Sequence, residues 1–241
     1  CRKHNISILS LKGEKEFLGQ IRATPEHTWG LILSLLRNIP WAFDSVCNGK
    51  WDRENYFGHE LYGKCLGIVG FGRVGGILAL YAKAFDMKVI AYDRKQFEQH
   101  NHFVRQVSLD ELFTESDIIT ITLSLDKTTF HFVNEEHFEK MKNDAYFINT
   151  ARGAIVDEKA LLNALEKKII AGAAIDVMEN ENIQDSISED HPLIRYAKAH
   201  NNLIISPHIA GSTYESMHNT SFFIAEKINM YLKTKSNKAD V

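Results

Sequence analysis

Downstream of Gly63 the chain alternates short apolar runs with longer segments of mixed polarity. Runs such as Ile118-Ile119-Thr120-Ile121 and Ala173-Ala174-Ile175 are almost continuously apolar. That pattern suits parallel strands buried on both faces rather than half-exposed antiparallel ones. It predicts strands at 65–70, 88–92, 117–122, 145–149, 171–176 and 203–206, and helices over 73–85, 108–113, 134–141, 157–167 and 212–233. Ser108 with Glu111 reads as a capping box, and Asp157 and Ser212 read as N-caps. Upstream, Thr24-Pro25-Glu26-His27 has the form of a helix start, with threonine at the cap, proline at the first position and an acid in the first turn. That helix runs through Trp29, Leu31, Ile32, Leu35 and Leu36 and stops near Pro40. It is apolar on more than one face, so burial between layers or subunits is expected. Residues 1–22 hold a strand-like stretch, Ile6-Ser7-Ile8-Leu9, followed by charged loop residues. The stretch 179–191 is acidic and turn-like and is expected to be a loop at the carboxyl edge of a sheet. The order strand–helix–strand implies an α/β fold built on a doubly wound parallel sheet.

A chain of 241 residues makes one large domain or two small ones. Its 28 basic and 31 acidic residues leave a net charge of −3 with no basic block, which disfavours non-specific nucleic-acid binding. No apolar run approaches the ~18 residues of a membrane span, and the start has no secretory-signal pattern, so no membrane association is expected. Cys1, Cys47 and Cys65 are odd in number and lack metal-ligand spacing, which favours a reducing, cytoplasmic setting and no metal. Cys65 opens the first strand and is expected to be a small buried apolar residue. His100, His102, His131, His137, His191 and His200 have no partner spacing and read as surface or loop residues.

The segment Leu66-Gly67-Ile68-Val69-Gly70-Phe71-Gly72-Arg73-Val74-Gly75 carries G-x-G-x-x-G between a strand and a helix. The second strand then ends on Asp93. In this setting the motif means dinucleotide binding, the Rossmann arrangement. Gly70 permits the tight turn, Gly72 lets the backbone approach a pyrophosphate, and Gly75 lets the helix pack close to the strand. The pyrophosphate belongs at the helix N-terminus, where free N–H groups and the dipole favour an anion. Asp93 is placed to accept the adenosine ribose hydroxyls and to repel a 2′-phosphate, so NAD is the expected cofactor.

In such sheets ligands bind outside the carboxyl ends of the strands. The residues there include Asn149-Thr150-Ala151-Arg152-Gly153, Asp176 with Glu179 and Glu181, and Pro207-His208-Ile209-Ala210-Gly211-Ser212-Thr213. An arginine, a carboxylate and a histidine on one rim suit hydride transfer between nicotinamide and a 2-hydroxy or 2-keto acid. Guanidinium clamps a carboxylate in a planar, bidentate way. Imidazole takes or returns a hydroxyl proton near neutral pH, and a neighbouring carboxylate orients the ring.

These segments, together with Gly63-Lys64-Cys65, Ile148 through Asp157, Ala171 through Val177 and Ser206 through Thr213, resemble the D-isomer-specific 2-hydroxyacid dehydrogenase family in order and spacing. The family includes D-3-phosphoglycerate, D-lactate and glycerate dehydrogenases. The resemblance runs from the helix at Thr24 to the C-terminal helix. It implies that Arg152 binds the substrate, that His208 is the acid/base and that Glu181 is its partner, with Glu179 as the alternative. It also implies that Asp176 accepts a hydrogen bond from the nicotinamide carboxamide. Thr150, Ala151 and Gly211 would line the nicotinamide pocket, and Arg73 and Val74 would offer backbone N–H groups to the pyrophosphate. Two positions depart from the family pattern. Glu181 is followed by Asn182 rather than proline, and Thr122-Leu123-Ser124 stands where many relatives have His-x-Pro on the adenine side.

The resemblance further implies three parts: 1–23 as a remnant of the substrate domain, 24–211 as the cofactor domain, and 212–241 as a helix returning toward the substrate domain. A chain lacking most of the first domain is expected to bind NAD(H) but to turn substrate over poorly. Relatives pair through the cofactor domain, so a homodimer is expected, with helix 24–37, Trp41 and Phe43 partly in its interface. The rival reading is an NAD(H)-sensing corepressor of the same fold. The acid's side chain and the direction of reaction are not legible in these residues.

Overall fold

The computed structural model describes residues 6–97, 102–181 and 188–239. It divides into two compact units, Pro25–Ala210 and a smaller one formed by the first 24 residues with Gly211–Val241.

In the smaller unit, helix α1 (Lys15–Gly19) occupies a segment expected to be loop. Phe17 stacks on Phe223 with ring centroids 4.1 Å apart, a long-range aromatic contact that no local pattern announces. Ile6-Ser7-Ile8-Leu9 forms no strand; Ile6 and Ile8 are exposed and have no ladder partner among the described residues.

The larger unit begins within α2 (Ala23–Leu36), continues through α3 (Ile39–Cys47), and then alternates strand and helix. In chain order these are β1 (Cys65–Val69), α4 (Arg73–Ala84), β2 (Lys88–Tyr92), β3 (Val104–Gln106), α5 (Leu109–Glu115), β4 (Ile118–Ile121), α6 (Glu135–Glu139), β5 (Tyr146–Asn149), α7 (Glu158–Glu166), β6 (Gly172–Ile175), α8 (Pro192–Ala199) and β7 (Leu203–Ile205). Helix α9 (Tyr214–Ala239) belongs to the smaller unit. The seven strands form one sheet in the order β3-β2-β1-β4-β5-β6-β7, with every pairing parallel. This is the doubly wound arrangement expected from the sequence.

Both faces of the sheet are covered, and side chains alternate between them as the strand period requires. Leu66, Ile68, Ile118, Ile148 and Ala174 enter one core with α2 and α4. Val69, Ile119, Ile121, Phe147, Ala173 and Ile175 enter the other with α5 to α8. The strand order reverses between β1 and β4, so the ligand crevice of this topology opens beside Gly70.

Several elements differ from the expectation for local reasons. Pro40 does not end α2. Asn38 adopts a left-handed conformation (φ 55°) just past that helix, and Pro40 then sits in the first turn of α3, where its missing N–H costs nothing. Likewise Pro192 opens α8, capped by the His191 side chain, which accepts from the Leu193 N–H at 3.3 Å. β3 has only three residues, too few to show a period. Ser108 accepts from the Glu111 N–H as expected, but the Glu111 side chain turns to Arg105 instead of closing a box. Asp157 caps α7. For α9 the capping oxygen is that of Thr213, which accepts from the Ser216 N–H at 3.0 Å, and not that of Ser212.

Candidate active site

The glycine turn follows β1. Gly70 has φ 93°, a conformation open to glycine at little cost, and a Cβ there would press on Leu123. Gly75 is confined: an added Cβ would lie 2.7 Å from the Gly70 carbonyl oxygen and 3.0 Å from Ile68. Gly72 is the opposite case, exposed, with nothing within 4 Å of a Cβ. It is the N-cap of α4 and, having no side chain, leaves room for a group to approach the turn. Asp93, one residue past β2, accepts from the Phe71 N–H at 2.9 Å through one carboxylate oxygen and from the Lys95 N–H at 3.0 Å through the other. It stays half-buried, with lone pairs to spare. Open glycine, helix N-terminus and adjacent carboxylate fit a dinucleotide. Thr122 and Leu123 help to build this turn, since the Thr122 hydroxyl donates to the Gly70 carbonyl.

At the tips of β5, β6 and β7 lie the expected reactive groups. Asn149 folds its side chain over the next turn: Oδ1 accepts from the Ala151 N–H and Nδ2 donates to the Arg152 carbonyl, both at 3.0 Å. Past this Asx turn the Arg152 guanidinium is exposed and donates to the Ala151 carbonyl. Thr150 is buried and bonded to the Thr28 hydroxyl at 2.8 Å. A Cβ on Gly153 would fall 2.1 Å from the Met178 carbonyl carbon, so the Arg152 turn lies against the backbone that leads to Glu181.

His208 Nδ1 lies 2.5 Å from Glu181 Oε1. The other carboxylate oxygen accepts from the Met178 N–H at 3.0 Å, which holds Glu181 in place. A carboxylate can only accept, so Nδ1 carries the hydrogen and Nε2 is the nitrogen available to a substrate. Glu179 serves elsewhere, paired with His131. His208 itself has φ 55°, a left-handed conformation that costs a non-glycine residue about 1 kcal/mol or more and that the surroundings must impose.

Asp176 supplies that imposition. Its side chain has no exposed surface. Its carboxylate accepts from Ser206 Oγ, the Ile209 N–H at 3.0 Å and the Ala210 N–H at 2.7 Å, while its carbonyl takes the His208 N–H at 2.8 Å. Of the two carboxylate oxygens, Oδ2 takes only the Ala210 N–H among these bonds and keeps a lone pair. Gly211 is exposed and belongs to the smaller unit.

Sequence reasoning missed several partners. His131 pairs with Glu179, and His191 with Glu158 at 3.3 Å. Both pairs line a cavity of about 550 Å³ beside α7, where burial raises the Glu158 pKa. His137 completes a capping box with Asn134, and His200 stacks on Tyr196. His100 lies outside the described residues. His27, read only as part of a helix start, reaches Ser206 and Asp176. The signal for these pairs is tertiary, since the partners are far apart in the chain. Among the described residues, no three or more His, Cys, Asp or Glu side chains are grouped to hold a metal ion. No helix among them is long and apolar enough to cross a membrane.

Residues 29–210 match the family described as D-isomer specific 2-hydroxyacid dehydrogenase, NAD binding domain. The chain is 39% identical over 233 residues to a D-3-phosphoglycerate dehydrogenase of Bacillus subtilis, covering 96% of this chain and 42% of that protein. It is 40% identical over 218 residues to a glyoxylate reductase of Thermofilum pendens, covering 88% and 62%. Thus it spans about two-fifths to three-fifths of the length of these relatives. Among solved structures, D-lactate dehydrogenase from Aquifex aeolicus, complexed with NAD and lactic acid, superposes with a TM-score of 0.82 at 32% identity, covering 91% of this chain and 68% of that one.

Proposed function

The chain belongs to the D-isomer-specific 2-hydroxyacid dehydrogenase family, with residues 29–210 as its NAD-binding domain, and from that premise we propose that it interconverts a D-2-hydroxy acid and the corresponding 2-keto acid. The observation that carries the reading is the Glu181–His208 pair beside the Arg152 turn. Bound NAD(H) supplies or removes a hydride at the substrate C2.

The chain's own groups do the rest. Gly70, Gly72, Arg73, Val74 and Gly75 hold the pyrophosphate, and Asp93 takes the ribose hydroxyls. Thr150 and Ala151 border the nicotinamide, and Asp176 accepts from its carboxamide. Arg152 grips the substrate carboxylate with paired N–H groups, which orients C2 and polarises its oxygen. In reduction, the His208 Nε2 gives its proton to that oxygen; in oxidation it takes the proton back. Glu181, held by the Met178 N–H, keeps the imidazole oriented. We assign residues 1–23 to the edge of a substrate domain, with 212–241 as a helix of the same unit.

We also propose a homodimer contact on this domain, on the exposed side chains of α3 and the segment after it. α2 is largely core, with Trp29, Ile32, Leu35 and Leu36 buried. Trp41 packs against that core, whereas Ile39, Phe43 and Val46 on α3, with Trp51 and Phe57 after it, are exposed.

The test is NADH oxidation by the full-length polypeptide over a panel of 2-keto acids, with His208→Gln as control. Turnover of an acid that disappears in the variant is expected. Tight NADH binding without turnover of any acid would refute the reading.

A further inference from the structure

The second turn of α2 carries two adjacent side chains that reach two different strand tips. Thr28 is fully buried, and its hydroxyl meets that of Thr150 at 2.8 Å, two positions before Arg152. His27 Nε2 lies 3.0 Å from Ser206 Oγ and 3.3 Å from Asp176 Oδ1. Ser206 and Asp176 are themselves joined, Oγ to Oδ1, at 2.5 Å.

Proton bookkeeping gives this cluster a direction. The Asp176 carboxylate only accepts, so the single Ser206 proton points at it. The hydroxyl oxygen is then left to accept, and His27 Nε2 must carry a hydrogen. This is the reverse of a nucleophile and its base, in which imidazole receives the hydroxyl proton. Ser206 is therefore not activated; it is tied down. Through Asp176 the tie extends to three consecutive N–H groups, those of His208, Ile209 and Ala210.

We propose that His27 and Thr28 are positioning residues, one helical turn that holds the His208 loop and the Arg152 turn in fixed mutual register. The proposal rests on the reading of Arg152 as substrate clamp and His208 as acid/base. Neither residue touches substrate. Both act through Thr150, Ser206 and Asp176. Register matters because carboxylate clamp and proton donor must address one small molecule together, and a misplacement of about 1 Å costs on the order of 100-fold in rate.

The experiment uses the full-length enzyme with His27→Leu, which removes the donor, and His27→Gln, which restores one. Ser206→Ala removes a single atom from the same tie and serves where His27→Leu does not fold. His27→Leu and Ser206→Ala are each expected to lower kcat about 10- to 100-fold with NADH affinity unchanged. His27→Gln should recover most of the loss, and the double variant should lose no more than the worse single one. A purely structural role would lower the melting temperature and leave kcat alone, which would overturn the proposal, as would losses that multiply in the double variant. Independently of turnover, the His208 imidazole resonances should shift in Ser206→Ala. Unchanged resonances would overturn the register argument even if no acid is turned over, so a wrong substrate and a wrong brace give different results.

Discussion

Glu181 Oε1 sits 2.5 Å from His208 Nδ1 although 27 positions separate the two residues. The pair forms because β6 and β7 are neighbours in the sheet and end side by side. Replacing Glu181 by Gln keeps the shape and weakens the acceptor that holds the His208 ring. Keto-acid reduction in the full-length protein is expected to fall about 100-fold while NADH affinity stays constant, the size usual for a positioned acid/base system. Stopped-flow reduction with parallel fluorescence titration of NADH checks both halves.

Gly153 and Gly72 should respond to alanine in opposite ways. A Cβ on Gly153 meets backbone atoms of Met178 and Glu179 at 2.1 to 2.5 Å, and backbone cannot rotate away. Gly153→Ala is expected to cost about 1–3 kcal/mol or more, read as a lower denaturation midpoint. Around Gly72 there is nothing within 4 Å, so Gly72→Ala should fold normally yet bind NADH more weakly, because the methyl stands where a pyrophosphate would approach. An unfolded Gly72→Ala or an unaffected Gly153→Ala would count against these roles.

Asp93 has two jobs, tethering the Phe71 N–H and presenting charge at the tip of β2. Asp93→Ala removes both. NADH affinity is expected to drop about 10- to 100-fold, the equivalent of one or two charge-assisted hydrogen bonds. Affinity for NADPH should drop less, since the repulsion of its 2′-phosphate goes too. Isothermal titration with each nucleotide decides it.

The Cys65 thiol is pushed up to about 11, first by burial and then by the nearby Asp117. A raised pKa means that the fold prefers the neutral thiol. That preference is fully present below pH 9, the ordinary value here, and is lost as pH rises toward 11. Denaturant midpoints measured from pH 8 to 11 should fall over that window, and less steeply in Cys65→Ala. Asp117 behaves oppositely. Although burial opposes ionisation, the Lys142 ammonium and the Cys65 N–H, both at 2.7 Å, hold its carboxyl below the usual range. Its contribution is present above pH 3.8 and is lost as pH falls below it.

Phe43 is 70% exposed and Trp51 87% exposed. If this face pairs two copies, Phe43→Asp should yield a monomer in sedimentation velocity without lowering the melting temperature. A wild-type chain that is monomeric at micromolar concentration would remove the proposal.

The alternation of apolar runs with turn signals determined six of the seven strands, because strands buried on both faces need near-continuous apolar runs; β3 is too short to show one. The glycine spacing determined the turn beside β1, because only glycine fits a left-handed turn at Gly70 and the tight contact at Gly75. Arg152, Glu181 and His208 were legible as candidates because each follows a strand whose carboxyl end is visible in the pattern. Which acid meets the histidine was not legible. Glu179 and Glu181 are two residues apart, and the bond from Met178 and the lie of the β6–β7 edge send one to His208 and the other to His131. Nor could the chain alone show that His27 reaches Ser206, 179 positions away, or that Asp176 is fully buried and bonded to the Ile209 and Ala210 N–H groups. Periodicity is a local property, set within a few turns or strands. Pairing between distant side chains depends on strand order and register, and those exist only once the sheet has closed its cores on both faces.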